Sequence, residues 1–118
     1  VQCEFGALKA LAALLQTIEK VRSREINPKI EISRIVPTMY NPSMKQCAEV
    51  VERLRQQFGP LVTRTIIRRR SQYAYAPVAA QPVTVFDPKS DAAEMYRNVA
   101  REILGLPVSE IAPVAMSA

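Results

Sequence analysis

The sequence predicts an α/β fold in which mainly parallel strands are joined by crossover helices. Three observations predict it. Apolar residues recur at three- and four-residue spacing in three separate stretches, the mark of amphipathic helices. Short runs rich in isoleucine and valine lie between them, bounded by proline and glycine. The two kinds of segment alternate, and an alternating chain packs as one sheet with helices against it.

Val1-Gln2-Cys3 reads as the end of a strand, so a further segment is expected upstream. Leu8, Leu11, Leu14, Leu15, Ile18 and Val21 mark one face of a helix from about Glu4 to Arg22. Glu4 suits its positive end, and Lys20, Arg22 and Arg24 its negative end. Asn27-Pro28 breaks it. Residues 30–38, I-E-I-S-R-I-V-P-T, read as a strand, with Pro37 marking its end or an edge. Asn41-Pro42-Ser43 signals a helix start. Met44, Cys47, Val51, Leu54 and Phe58 form that helix's stripe, and Gly59-Pro60 stops it. Residues 61–67, L-V-T-R-T-I-I, are a second strand, and Pro82 to Phe86 a third. Asp87-Pro88-Lys89-Ser90-Asp91 opens a last helix to about Leu104, with Ala92, Tyr96, Val99 and Ile103 facing the core. Gly105 and Pro107 end it. One domain over 1–104 and a loose tail over 105–118 follow, without internal repeats.

Composition narrows the chemistry. Sixteen Lys and Arg against 11 acids give a net charge of +5 and a pI near 9.6. That balance suits a polyanionic partner, nucleic acid before membrane, or simply a solvated basic surface. The absence of histidine excludes His-based acid–base catalysis, Ser-His-Asp triads and most zinc sites. Cys3 and Cys47 lie far apart without a CxxC, which fits a reducing compartment and a core role for Cys47. The longest apolar run, Ala10 to Leu15, is far short of the ~20 residues a membrane span needs, and no signal peptide is expected.

In open α/β sheets ligands bind beyond the carboxyl ends of the strands. Two loops qualify by position, Thr38-Met39-Tyr40-Asn41 and Arg68 to Ala79; packing is the alternative role for Met39 and Tyr40. The only glycines, Gly6, Gly59 and Gly105, cannot assemble a phosphate-binding loop of the form GxxxxGK[ST]. No acidic cluster has metal-site spacing, so neither a catalytic nor a metal site is expected within these residues.

Four stretches carry a family likeness. V-Q-C-E-F-G-A-L-K-A-L resembles the P-x-Q-C-E-x-x-A-L-x-G-L segment of ParA/Soj partition ATPases, and T-M-Y-N resembles their T-M-Y-D. V-V-E-R-L-R-Q-Q-F-G is similar to V-x-E-x-V-R-x-x-F-G. A-P-V-A-A-Q-P-V-T-V-F-D-P-K-S-D-A-A-E-M-Y-R-N-V-A-R-E-I-L is similar to the family's A-P-S-x-G-K-P-V-x-x-Y-D-P-x-S-x-G-A-x-x-Y-x-x-L-A-x-E-x-L. The likeness covers about residues 1 to 104.

The resemblance implies the carboxyl-terminal half of such an ATPase. It implies part of a mainly parallel, doubly wound P-loop NTPase-like sheet with flanking helices. The family's K-G-G-x-G-K-T loop and metal-binding aspartates would lie in the other half. A complete protein would bind ATP and Mg²⁺, form a homodimer, coat DNA without sequence preference in the cytoplasm, and respond to a ParB-like activating partner. This chain alone would bind no cofactor and would be inactive. A membrane-binding version is not expected, because the tail lacks the basic residues of a MinD-like amphipathic helix.

Residue by residue the implied carry-over is uneven. Thr38 and Met39 match the loop in which the family's methionine lies near adenine. Asn41 replaces an aspartate, and Ser43 a DNA-binding arginine. The family's I-P-R-N-V-R aligns with Ile67 to Gln72. Arg68 and Arg70 thus stand at the adenine-side proline and asparagine, Arg69 keeps an arginine, and Gln72 replaces a second DNA contact. Nucleotide binding is therefore expected at Thr38, Met39, Arg68 and Arg70, and DNA binding at Arg68, Arg69, Arg70 and Lys45. The arginine run would serve nucleotide phosphate, DNA phosphate or both, or else be solvated charge. The competing reading is a free-standing basic α/β module that binds nucleic acid or a protein and never hydrolyses ATP.

Overall fold

The computed structural model describes residues 1–110. It contains α1 (Phe5–Ser23), α2 (Lys45–Phe58), a 3₁₀ turn (Gly59–Leu61), α3 (Gln72–Tyr75), α4 (Val83–Phe86) and α5 (Asp91–Leu104). The three long helices fall where the periodicity predicts them. The sheet does not: among the described residues there is no β-strand, which overturns the expected parallel, doubly wound sheet.

The physical reason lies in the backbone hydrogen bonds. Three stretches, at residues 1–3, 35–40 and 61–69, run side by side and touch through isolated parallel bridges: Gln2 with Thr38, Ile35 with Val62, and Tyr40 with Arg68. Between the last two bridges the register slips, from an offset of 27 residues to one of 28. That extra residue is a bulge, and a bulge interrupts a ladder. Pro37, at its centre, has no N–H to donate. It can only accept, from Ile67 N at 2.9 Å. The N–H groups of Arg64 and Thr65 turn out of the pairing and donate to the two carboxylate oxygens of Glu102, at 2.7 and 2.8 Å.

The third expected strand is a single helical turn, α4. Pro82 precedes it in extended geometry, and its carbonyl accepts from both Val85 N and Phe86 N at 2.9 Å. Local hydrogen bonds thus override the β-propensity of the Val-Thr-Val-Phe run.

Three apolar clusters hold the chain. Val50 and Leu54 of α2 are fully buried, against Leu11 of α1, Ile35 and Val62. Each such leucine or valine contributes roughly 1.5–3 kcal/mol by leaving water. Cys3, Cys47 and Val51 form a second cluster, where the Cys47 thiol donates to Cys3 O at 3.2 Å. Burial, followed by the neighbouring Cys47, pushes the Cys3 thiol up to about 11. Ile67, Met95 and Val99 form the third cluster.

Two expected core faces shift. Leu14 is exposed on α1. On α5 the buried residues are Ala92, Ala93, Met95, Asn98 and Val99, whereas Tyr96 and Ile103 are exposed. Ser90 caps this helix, accepting from Ala93 N at 3.1 Å, and Asp91 and Glu94 meet the positive end of its dipole. Gly105, at φ 72°, closes it in the left-handed conformation that glycine tolerates. Beyond it, the buried Asn98 amide donates to Ser109 O (2.9 Å) and accepts from Ser109 N (3.0 Å), tying residues 106–109 across α5. The remainder of the expected loose tail, 111–118, lies outside the described residues.

Glu102 gives the first prediction. Burial raises its carboxyl, but hydrogen bonds from Thr65 and Arg64 outweigh that and hold it below the ordinary range. A carboxyl depressed in the folded state stabilises fully above its unfolded value, about 4.3, and loses that contribution as pH falls. Glu102→Ala strands two N–H donors and is expected to cost about 1–3 kcal/mol at pH 7. The gap from wild type should shrink below pH 4 in denaturant melts followed by circular dichroism. An equal gap at pH 7 and pH 3 would show that the carboxylate does not organise the bulge.

Candidate functional site

The two loops singled out by sequence meet in space. Tyr40 N donates to Ile67 O at 3.1 Å, and Arg69 N to Tyr40 O at 3.0 Å. Those bonds bring Thr38 and Met39 alongside Arg68 to Arg70 at one end of the extended stretches. Thr38 is fixed by Val1: its N–H donates to Val1 O at 2.8 Å, and its hydroxyl to the same oxygen at 3.3 Å. Met39 has φ 53°, a left-handed backbone that a non-glycine residue adopts at a cost, and its side chain is exposed. Asn41 Oδ1 accepts from Ser43 N (3.0 Å) and Ser43 Oγ (2.7 Å), so both residues at the family's acidic and basic positions serve a local turn.

The three arginines differ. Arg70 is committed to Asp91 at the start of α5: Nε reaches Oδ1 at 3.0 Å and Nη2 reaches Oδ2 at 2.9 Å. Its remaining nitrogen, Nη1, donates to Arg69 O at 2.9 Å. The Arg70 hydrogen bond holds the Asp91 carboxyl below its ordinary range, against the opposing effect of burial. Arg69 is exposed and Arg68 half-buried, and neither has an ion pair among the described residues. Arg68 N points at Met95 Sδ, 3.4 Å away. Lys45 stands apart from this group, exposed as the first residue of α2.

The two nearby tyrosines also divide. Tyr73 donates its hydroxyl to Ala92 O at 2.8 Å and sits edge-on to Tyr96, with ring centroids 5.3 Å apart. Burial, above all, raises the Tyr73 hydroxyl's pKa, so it stays a donor at neutral pH. Tyr75 is exposed. Sequence reading missed Asp91, Met95 and Asn98. A signal existed for Asp91 alone: three adjacent arginines require a counter-charge, and an acid just after a capping serine is at hand.

The described residues hold no glycine-rich loop of the kind that cradles a triphosphate. Of the three long helices, α2 begins on Lys45 without an acid in its first turn, whereas α1 and α5 begin on acids, Glu4 at one cap and Asp91 with Glu94 in the other's first turn. Those charges oppose a phosphate at either helix end. No group of three or more Cys, Asp or Glu side chains is placed to hold a metal ion among the described residues. No helix among them is long and apolar enough to cross a membrane.

Geometry and charge first define a class: a basic, mainly helical domain that gathers arginines beside a strained methionine. Comparison with known proteins then gives the relationship. No protein-family model matches the chain. Over 103 residues, 87% of its length, it is 43% identical to an uncharacterised protein of Mycobacterium tuberculosis, covering 32% of that protein. It is 36% identical over 104 residues to the chromosome partitioning protein ParA of Caulobacter vibrioides, covering 88% of this chain and 39% of that one. To the chromosome-partitioning ATPase Soj of Treponema pallidum it is 38% identical over 104 residues, 88% of this chain and 41% of that one. The chain is therefore a relative of the ParA/Soj chromosome-partitioning proteins, and it spans about a third to two fifths of the length of the curated relatives it matches.

The Arg70–Asp91 pair predicts a measurable coupling. A forked pair this sheltered should show a coupling energy of about 1 kcal/mol in a double-mutant cycle of Arg70→Met and Asp91→Asn, read by chemical denaturation. Because the Asp91 carboxyl is depressed in the folded state, the coupling should be full at pH 7 and fade below about pH 4. Additive single-mutant losses would show that the contact carries no net energy.

Proposed function

We propose that this chain is the carboxyl-terminal half of a ParA/Soj-type partition ATPase, acting in the cytoplasm on the nucleoid. The observation that supports this best is the 36% and 38% identity, each over 104 residues, to a ParA and a Soj protein. In the complete protein, ATP with Mg²⁺ would be held mainly by the other half, since no glycine-rich phosphate loop is present among the described residues. This half would contribute Thr38, Met39 and Arg68 beside the base. The complete protein would dimerise, coat DNA without sequence preference, and be released through a ParB-like partner.

Arg68 and Arg69 are the DNA-facing residues on this reading. Guanidinium forks suit phosphate oxygens, and these two are not spent on a carboxylate. Arg70 instead fixes the loop against α5, so that its neighbours present their charge from a rigid base. Lys45 adds a separate basic point.

Two measurements test the reading. In the complete, ATP-bound dimer, each phosphate neutralised contributes about −0.9 to the slope of log affinity against log salt. Arg68→Ala with Arg69→Ala should flatten that slope by about two and weaken binding equally across DNA sequences. An unchanged slope would move the DNA surface elsewhere. The 118-residue chain alone should hydrolyse no ATP above background in a magnesium-supplemented assay, because positioning and charge stabilisation of the phosphoryl group supply most of this catalysis. Turnover by the chain alone would overturn the assignment.

A further inference from the structure

A second concentration of positive charge adjoins the arginine run, with Arg64 bordering Arg68 on one side. Arg34, Arg55 and Arg64 line one cleft of about 520 Å³, together with Gly59-Pro60, Val62, Thr63, Glu102 and residues 106–108. The three arginines come from different parts of the chain: the extended stretch before Ile35, the last turn of α2, and the bulge. None is in an ion pair among the described residues, whereas Arg22, Arg70, Arg97 and Arg101 all are. Arg34 makes a hydrogen bond only to its neighbour, Ser33 O.

The one acid in the cleft, Glu102, feels the Arg64 charge but accepts no hydrogen bond from any of the three guanidiniums. Glu102 spends both oxygens on the N–H groups of Arg64 and Thr65. It offsets one charge of three and leaves the cleft net positive. Like charges lining one cleft repel, and an anion bound there offsets that cost. The far wall, Leu106-Pro107-Val108, is held in place by the paired Asn98–Ser109 hydrogen bonds. The cleft is thus a preformed feature with a fixed apolar wall. Its size and shape suit a compact ligand rather than a flat surface contact.

We propose that this cleft is a phosphate-binding site, taking a di- or oligophosphate group between Arg34, Arg55 and Arg64. The site abuts the Arg68–Arg69 surface through Arg64 and does not rest on the partition reading. Pyrophosphate carries two oxyanion groups, and arginine's planar fork suits phosphate oxygens. The same chemistry arises from a free phosphorylated small molecule or from a nucleic-acid backbone.

Isothermal titration of the full chain with sodium pyrophosphate at low salt tests the site. Saturable binding is expected, weakened about ten- to a hundredfold by Arg64→Ala or Arg55→Ala, since a charge-assisted hydrogen bond is lost with each. Arg55→Lys should recover part of the loss. Arg24→Ala, which removes an equal charge elsewhere, should leave affinity unchanged. Circular dichroism melts keep folding defects separate from binding. Competition with a 20-base-pair duplex distinguishes the source: displacement of pyrophosphate assigns the phosphate to nucleic acid, and simultaneous binding assigns it to a small ligand. No saturable binding, or an equal loss in Arg24→Ala, would overturn the proposal.

Discussion

Residues 35 to 40 are the constraint on which the other elements depend. This stretch alone is hydrogen-bonded on both sides, to residues 1–3 through Val1, Cys3 and Thr38, and to residues 61–69 through Ile35, Pro37 and Tyr40. Its side chains join separate clusters: Ile35 belongs to the core with Leu11, Val50 and Leu54, Tyr40 packs against the Cys3–Cys47–Val51 cluster, and Val36 against the Ile67–Met95–Val99 cluster. Pro37, fully buried at its centre, removes one donor where a ladder would need it. The neighbouring stretch answers with an extra residue, and the stranded N–H groups go to Glu102. Thus one proline and one carboxylate together explain why extended segments align here without becoming a sheet.

Charge is divided between fixing the fold and facing outward. Arg70 with Asp91 ties the arginine loop to α5, and Arg101 with Glu94 and Asn98 braces α5 along its own face, beside the Asn98–Ser109 bonds that hold the tail. Each such group is directed by a partner and so has a defined geometry. Of the arginines without an ion pair among the described residues, Arg68 and Arg69 lie on one surface and Arg34, Arg55 and Arg64 line one cleft, while Arg24 and Arg53 lie outside both. Buried unpaired charge is too costly to keep, so these side chains reach solvent or an anion. Adjacency in sequence does not predict the division. Arg69 and Arg70 are neighbours, yet one is free and the other is held.

The relation to partition proteins covers nearly all of this chain but a minority of each relative. The described residues form a loop pair at one end of the extended stretches. Several positions that would carry the family's contacts serve local structure instead, as Asn41 and Ser43 do in their turn.

The sequence by itself determined the three long helices and their stops at Gly59 and Gly105. Those depend on local rules: periodicity of apolar residues, caps, and residues that cannot continue a helix. Net charge and the missing histidine likewise bounded the chemistry without any structure. Only the tertiary structure decided that the isoleucine- and valine-rich runs would pair by isolated bridges, because register depends on a partner segment distant in the chain. It also decided the rotation of α5 that buries Met95 and Asn98 and exposes Tyr96 and Ile103. The same holds for which arginine finds a carboxylate. Partner choice is set by where the backbone brings a charge after folding, and residue 91 lies 21 positions from residue 70.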